Sequence, residues 1–495
     1  MGEKTLKEKT ATGLLWGAVG NLSMQVLGAL IGIVLARLLS PGEYGMVGML
    51  AIFTAIAGTL SESGFTAAIT NLKEATHHDY NAVFWFSTFC SLFLYVVLYF
   101  SAPLIAAFFH QPDLILLSRL VFASFVFAAI GTAHAAWMFR NMMNREKAII
   151  NIISLIISGM VGITMALLGY SYWSLAGQQF AYIIVIDLGR LYYVRWLPSI
   201  PIDFKPICHM FGFSSKILVT SIVNQVNNNV LSFVFGRLYT PRDVGNYSQA
   251  AKWTTMGHSL ISGTLQQVAQ PVMASISDDC QGRQVNIFRK MLRFTAFLSM
   301  PAMLTLALVA DFIVLLLGAQ WTDSVSLMRI LCISGAFLPL QTLYQNLFIS
   351  HGRSDMYMWS TLTLMVIQLV IILMFCRWSI QMMVAAYATT QIFWLLVWQQ
   401  LATRIIPLRL MDIMKDILPF LLTSSICVAI AWILTNNILS PIVFITLRVV
   451  IVGILYLSIM KLLHVRIFEE CLSFFIGRFH STKRADSSTK LRGKA

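Results

Sequence analysis

Charge is what this chain has least of. Asp, Glu, Lys and Arg together make up 11% of its 495 residues, against about 25% in ordinary soluble domains. Together with a mean hydropathy of +0.75, that scarcity excludes a soluble globular protein. Acids are the rarer sign, 21 against 35 Lys and Arg. Cysteine is sparse as well. Cys90, Cys208, Cys280, Cys332, Cys376, Cys427 and Cys471 are scattered, with no Cys-x-x-Cys and no histidine beside them, so neither a disulfide framework nor a zinc site is indicated. The sequence holds no Gly-x-x-x-x-Gly-Lys-Ser/Thr loop and no His-Glu-x-x-His pair, the usual marks of nucleotide and zinc-hydrolase chemistry. Long polar loops are missing too, which leaves no connection able to fold as a catalytic domain. No catalytic residue, no metal and no cofactor is expected.

What fills the chain instead is apolar runs. A spanning helix needs roughly 20 mainly apolar residues, because its backbone must be paired within the segment. By that rule about fourteen spans are predicted, near 11–36, 43–69, 80–108, 113–137, 149–169, 172–194, 210–236, 243–275, 288–317, 324–350, 357–376, 381–403, 416–435 and 441–463. The expected fold class is an all-α integral membrane protein. The first run follows a Lys-rich start, as a signal peptide would, but is too long for a cleavable apolar core and reads as a retained span.

The net charge of +14 invites a nucleic-acid partner, and its placement argues against one. With the N-terminus cytoplasmic and the spans alternating, the inner segments collect Lys4, Lys7, Lys9, Lys73, Arg140, Arg145, Lys147, Arg190, Arg195, Lys205 and most later cations, including the basic tail. The outer turns hold Arg37, Arg237, Arg242 and Arg377. This asymmetry is the positive-inside pattern. It predicts a multi-pass membrane protein with both termini cytoplasmic.

The chain also repeats itself. Ala36-Arg-Leu-Leu-Ser-Pro-Gly-Glu-Tyr-Gly45 returns as Gly236-Arg-Leu-Tyr-Thr-Pro-Arg-Asp-Val-Gly245. Gln25 matches Gln225 at the same offset, and Arg119-Leu-Val-Phe-Ala-Ser124 resembles Arg329-Ile-Leu-Cys-Ile-Ser334. Matches of spans one, two and four with seven, eight and ten imply a unit of six helices. Six is even, so the two copies share one orientation and form a parallel repeat. The expected division is an N-terminal lobe over 1–195, a Pro-containing linker over 196–209, a C-terminal lobe over 210–405 and two extra helices over 406–464. An amphipathic surface helix and basic tail follow over 465–495.

Polar residues inside spans are the candidates for function, since a charge in hydrocarbon costs at least about 2.5 kcal/mol. Lys252 lies roughly 14 Å into the eighth span at the helical rise, has Ile52 at its repeat-related position and has no carboxylate nearby in sequence. It reads as lining a water-filled cavity. Lys216 sits near the inner end of the seventh span, where it either joins that cavity or belongs to the inner positive belt. His258 lies near mid-membrane. Arg119 and Arg329 correspond in the repeat and either pack or snorkel to the outer interface, or line the cavity. Asp187 precedes Arg190 by three residues and reads as an i,i+3 pair. Asn224, Gln225 and Asn228 in the seventh span and Asn21 and Gln25 in the first bond between helices or share the polar cavity. Gly13-x-x-x-Gly17 and Gly28-x-x-x-Gly32 are expected to pack the first helix closely. A cavity with cations and few acids would attract an anion.

Leu35-Ala-Arg-Leu-Leu-Ser-Pro-Gly-Glu-Tyr-Gly-Met-Val-Gly48, between the first two spans, resembles the hallmark segment of Wzx-type, WzxC-like polysaccharide flippases. Ser61-Glu-Ser-Gly-Phe65 is similar to what those proteins carry at the inner end of the second span. They belong to the multidrug/oligosaccharidyl-lipid/polysaccharide exporter superfamily. The resemblance implies a V-shaped, two-lobed bundle that moves an undecaprenyl-pyrophosphate-linked oligosaccharide to the outer leaflet for O-antigen, capsule or exopolysaccharide synthesis. In that reading the partners are the lipid-linked glycan, membrane lipids, and a polysaccharide polymerase and chain-length proteins. Lys252 and Lys216 fit an anion-binding role by position, not as established family residues. Glu62 is the acid best placed to couple H⁺ or Na⁺, with a helix-end hydrogen bond as the bland account. Two other functions stay open: a multidrug or cation exporter of the same fold, and a polysaccharide polymerase or ligase. The first would want deep acids in the first lobe, the second large outer loops.

Overall fold

A computed structural model describes residues 6–62, 69, 72, 74–200, 202–276, 281–375, 377–436 and 441–470. The described residues are helices joined by short turns, as hydrocarbon demands of a backbone with no water to bond. In chain order these are α1 (Leu6–Leu38), α2 (Pro41–Met49), α3 (Ala51–Glu62), α4 (His77–Phe109), α5 (Leu114–Ile130), α6 (Thr132–Arg140), α7 (Asn144–Leu167), α8 (Trp173–Tyr193), α9 (Lys205–Leu238), α10 (Pro241–Ser275), α11 (Gln281–Leu308), α12 (Ala310–Leu317), α13 (Ser324–Gly335), α14 (Leu338–Ser350), α15 (Ser354–Phe375), α16 (Ile380–Ala402), α17 (Leu410–Thr435) and α18 (Pro441–Leu462). Each expected span falls on one helix or on two consecutive ones.

Among the described residues, ten helical segments are long and apolar enough to cross a membrane, or eleven if α5 and α6, bent by 45°, make one span. The expected spans at 172–194, 210–236 and 243–275 are helical as α8, α9 and α10 but fall short of that apolarity. Gln178, Gln179, Asp187 and Arg190 dilute α8, the amides around Asn224–Asn229 dilute α9, and Gln249, Lys252 and His258 dilute α10. Two of these three polar helices supply the pocket described below.

The chain forms two compact units, one of residues 1–256, 313–331 and 358–390, the other of 257–312, 332–357 and 391–495. In the first, the sequence repeat has a local explanation. Ser40 caps α2: its hydroxyl receives the Glu43 N–H, while its own backbone N–H donates to the Glu43 carboxylate at 2.5 Å. Thr240 and Asp243 make the same reciprocal pair at the head of α10, with Thr240 Oγ1 donating to Asp243 at 2.7 Å. Proline follows each cap because the first helical N–H has no acceptor to lose. The two capped helices then cross: a Cβ on Gly45 would strike the Pro241 carbonyl, and one on Gly245 would strike that of Pro41. The reciprocal contact is local two-fold symmetry, and it requires glycine at both positions.

Elsewhere in this unit Gly131 separates α5 from α6, and a Cβ there would meet Asp187 Oδ1. The linker start is docked, not free. Trp196 Nε1 donates to His77 Nδ1 at 2.9 Å, and Asn81 exchanges two 2.9 Å hydrogen bonds with the Ser199 backbone. The next helix begins at Lys205, inside the expected linker. In the second unit Arg289 holds the buried Asp416 of α17 through two hydrogen bonds of 2.6 and 3.1 Å. Arg448 is 3% exposed within α18 and donates to Leu308 O at 2.8 Å and to Thr435 Oγ1 at 3.0 Å. Those acceptors lie at the C-terminal ends of α11 and α17, where the helix dipole is negative.

Candidate functional site

The site is built on the face of α1 that the 3.6-residue period leaves together: Met24, Gln25, Gly28, Ile31, Gly32 and Leu35. Tyr44 of α2, Leu155 of α7, Gln178 of α8, and Lys252 with Met256 of α10 complete a cavity of about 270 Å³ inside the first unit. The α1–α7 contact that forms one wall is tight because glycine permits it: Gly159 receives Ile31, and Gly20 lies against Ala148. Of the two Gly-x-x-x-Gly runs expected to do this, the surroundings of Gly13 lie outside the described residues. Among the described residues, and apart from the helix's own backbone, no heavy atom lies within 4 Å of where a Cβ of Gly17 or Gly28 would sit, and Gly28 opens onto the cavity. Gly32 gives its space to Lys252, whose Nζ is 2.8 Å from where a Cβ would stand.

Lys252 is an exposed cation about three turns from the start of α10. Among the described residues it has no ion pair and no side-chain hydrogen bond. Around it stand the Gln25 and Gln178 amides and the Tyr44 phenol, and no carboxylate lines the cavity. One ammonium, two amides and a hydroxyl can take an anionic group and donate to its oxygens. They offer no acid to neutralise a cationic ligand.

The other expected site residues are distributed more widely. Asn21 is exposed on α1 one turn before Gln25. On α9, Gln225 accepts an Asn229 amide through its backbone carbonyl at 2.9 Å, Asn224 is half-buried and engaged by a neighbour, and Asn228 is exposed. The Arg119 guanidinium stacks on the Tyr99 ring at 4.2 Å. Arg329 is exposed on α13 and engaged by a neighbour. His258 lies in the part of α10 that belongs to the second unit, its Nδ1 buried with no hydrogen-bond partner among the described residues. Asp187 and Arg190 make the expected pair at 2.9 Å. The side chains of Glu62 and Lys216 lie outside the described residues, as do most of Ser61–Phe65 and everything after 470.

Sequence reasoning passed over Tyr44 and Gln178. Tyr44 was visible only as part of the hallmark turn. Gln178 carried a signal, an amide inside an apolar run beside Gln179. The hallmark turn itself is held by Trp321, whose Nε1 donates to Ala36 O at 2.8 Å and whose ring meets Tyr44 edge-on at 5.2 Å. Arg37 donates to Leu316 O at 2.7 Å.

A family model described as "Polysaccharide biosynthesis protein" matches residues 34–326, well over half of the chain. The chain belongs to that family. The matched stretch takes in both capped turns, their glycine crossing and Lys252. Among curated proteins it is 25% identical over 360 residues to the lipopolysaccharide biosynthesis protein WzxC of Escherichia coli (strain K12), covering 71% of this chain and 72% of that one. It is 24% identical over 429 residues to the teichuronic acid biosynthesis protein TuaB of Bacillus subtilis (strain 168), covering 85% and 88%. Among solved structures, the lipid II flippase MurJ in an inward closed conformation aligns with a TM-score of 0.73 at 14% identity, over 93% of this chain and 99% of that one. An inward-facing MATE transporter of the MOP superfamily aligns with a TM-score of 0.61 at 14% identity, over 83% and 98%. The chain thus shares the multi-span, all-helical fold of these two structures.

Proposed function

We propose that this protein is a flippase. It carries an undecaprenyl-pyrophosphate-linked oligosaccharide across the bacterial inner membrane for surface polysaccharide synthesis, by alternating access of two lobes around a cationic cavity. It makes and breaks no covalent bond. The observation that carries this reading is the Lys252 cavity, a cation with polar company and no acid, in a chain of the polysaccharide biosynthesis family. A pyrophosphate is the part of a lipid-linked glycan that such a cavity would hold, while the polyprenyl tail stays in the bilayer. Relatives named for lipopolysaccharide and teichuronic acid synthesis, and a lipid II flippase of the same fold, support that substrate class. The multidrug members of the fold suggest the rival reading, a cation exporter, and a cavity whose only charge is positive speaks against it.

The test is a clean deletion strain whose inner-membrane lipid extract is analysed together with its surface glycan. Loss of surface glycan with accumulation of complete, inward-facing undecaprenyl-linked units is the expected result. Absent or shortened units would place the protein in glycan synthesis and overturn the flippase reading. Complementation with Lys252→Glu is expected to restore membrane insertion but not export. Full export by that variant would remove the cavity from the mechanism.

A further inference from the structure

A second cationic cavity lies apart from the Lys252 site, among the ends of α6, α7 and α8. It encloses about 120 Å³, and Lys147, Arg190 and Asn151 line it together with Met138, Phe139 and Ile186. We propose that it is a binding site for the phosphate headgroup of an anionic phospholipid in the inner leaflet.

Each wall argues for that ligand. Lys147 and Asn151 are one turn apart on α7, so both side chains face the same side. Lys147 Nζ lies over the Phe139 ring at 5.1 Å and has no ion pair among the described residues. Arg190 comes from the last turn of α8, and Asp187 steadies it through a single 2.9 Å bond between Oδ1 and Nη1. That bond leaves most of the guanidinium's five N–H donors for a ligand. Gly131, at the break between α5 and α6, is what admits Asp187 to this position. Two cations face one small cavity with a single carboxylate to offset them, and their mutual repulsion is relieved by an anion between them. A fork, an ammonium and an amide together match the several oxygens of a phosphate.

The rest of the lining is apolar, and Phe139 is 55% exposed. A soluble ion has no use for that surface, whereas a lipid lays its glycerol and first methylenes against it. The cluster lies at the end of the bundle expected to be cytoplasmic, the usual place for basic pockets that take lipid headgroups.

The experiment uses the full-length protein, purified and delipidated in detergent, with its thermal unfolding midpoint followed as lipid is added. Phosphatidylglycerol is expected to raise the midpoint in a saturable way and phosphatidylcholine to leave it unchanged. Lys147→Gln should weaken the phosphatidylglycerol response about fivefold, the equivalent of roughly 1 kcal/mol for one basic residue. Lys147→Arg should retain it. Arg145→Gln removes a neighbouring cation that stacks on Trp16, outside the cavity, and should also retain the response. Equal responses to the two lipids, or equal losses in Lys147→Gln and Arg145→Gln, would overturn the site. A rise with inorganic phosphate as large as with phosphatidylglycerol would overturn the lipid assignment.

Discussion

Gly32 and Lys252 occupy one volume between them, and the pair separates transport from stability. A Cβ at position 32 would meet the far end of a flexible side chain, so Lys252 can move aside at little energetic cost. Replacing glycine by alanine inside a helix also favours the fold by roughly 0.5–1 kcal/mol. Gly32→Ala is therefore expected to keep or raise the thermal midpoint of the purified protein while lowering surface glycan export. A fall in both would mean that Gly32 serves packing alone. At this scale the sequence was partly legible. Lys252 stood out because a lone cation deep in an apolar run needs water or a partner. Gln25 was legible for the same reason. The purpose of Gly28 and Gly32 was not, because glycine spacing on one helix is the same whether the vacated space holds another helix or a long side chain.

At the scale of elements, the repeat is a statement about two helix starts. Serine or threonine, proline and an acid three residues past the cap are the chemistry of a reciprocal cap, and the glycines two residues past each acid are required by the crossing of α2 with α10. The two features predict different losses. Ser40→Ala or Thr240→Ala removes one capping acceptor and should cost about 1 kcal/mol, read as a modest drop in thermal midpoint. Gly45→Ala or Gly245→Ala drives a methyl group into backbone, which cannot turn away as a side chain can. Those changes should cost more than the caps do, within or beyond the 1–3 kcal/mol of ordinary overpacking. Because both glycines serve one crossing, the double variant should fall short of the sum. Equal effects for cap and glycine variants would contradict the crossing. The caps could be read from sequence, since all their residues lie within four positions. The crossing could not, because its partners are two hundred residues apart and nothing local marks an approach.

For the molecule as a whole, the number and order of spans were legible wherever apolar runs were continuous. They blurred at α8, α9 and α10, where polar side chains count against a span in any average over the helix. The charge asymmetry carried more, because it speaks about sidedness, which helix geometry alone does not. An inverted repeat would put the turn at Ser40 and the turn at Thr240 on opposite faces of the membrane, whereas a parallel repeat puts them on the same face. The mutual contacts of Gly45 with Pro241 and of Gly245 with Pro41 hold the two turns at one end of their unit, as the parallel arrangement requires. The sidedness that follows can be measured in a background lacking the seven native cysteines. Gly42→Cys and Arg242→Cys are expected to react with a membrane-impermeant maleimide in intact cells whose outer membrane admits the reagent. Asn141→Cys, in the exposed turn between α6 and α7, is expected to react only after the inner membrane is opened. Labelling of one repeat turn without the other would refute the parallel repeat. Labelling of Asn141→Cys in intact cells would reverse the orientation, and with it the assignment of the Lys147 and Arg190 cavity to the inner leaflet.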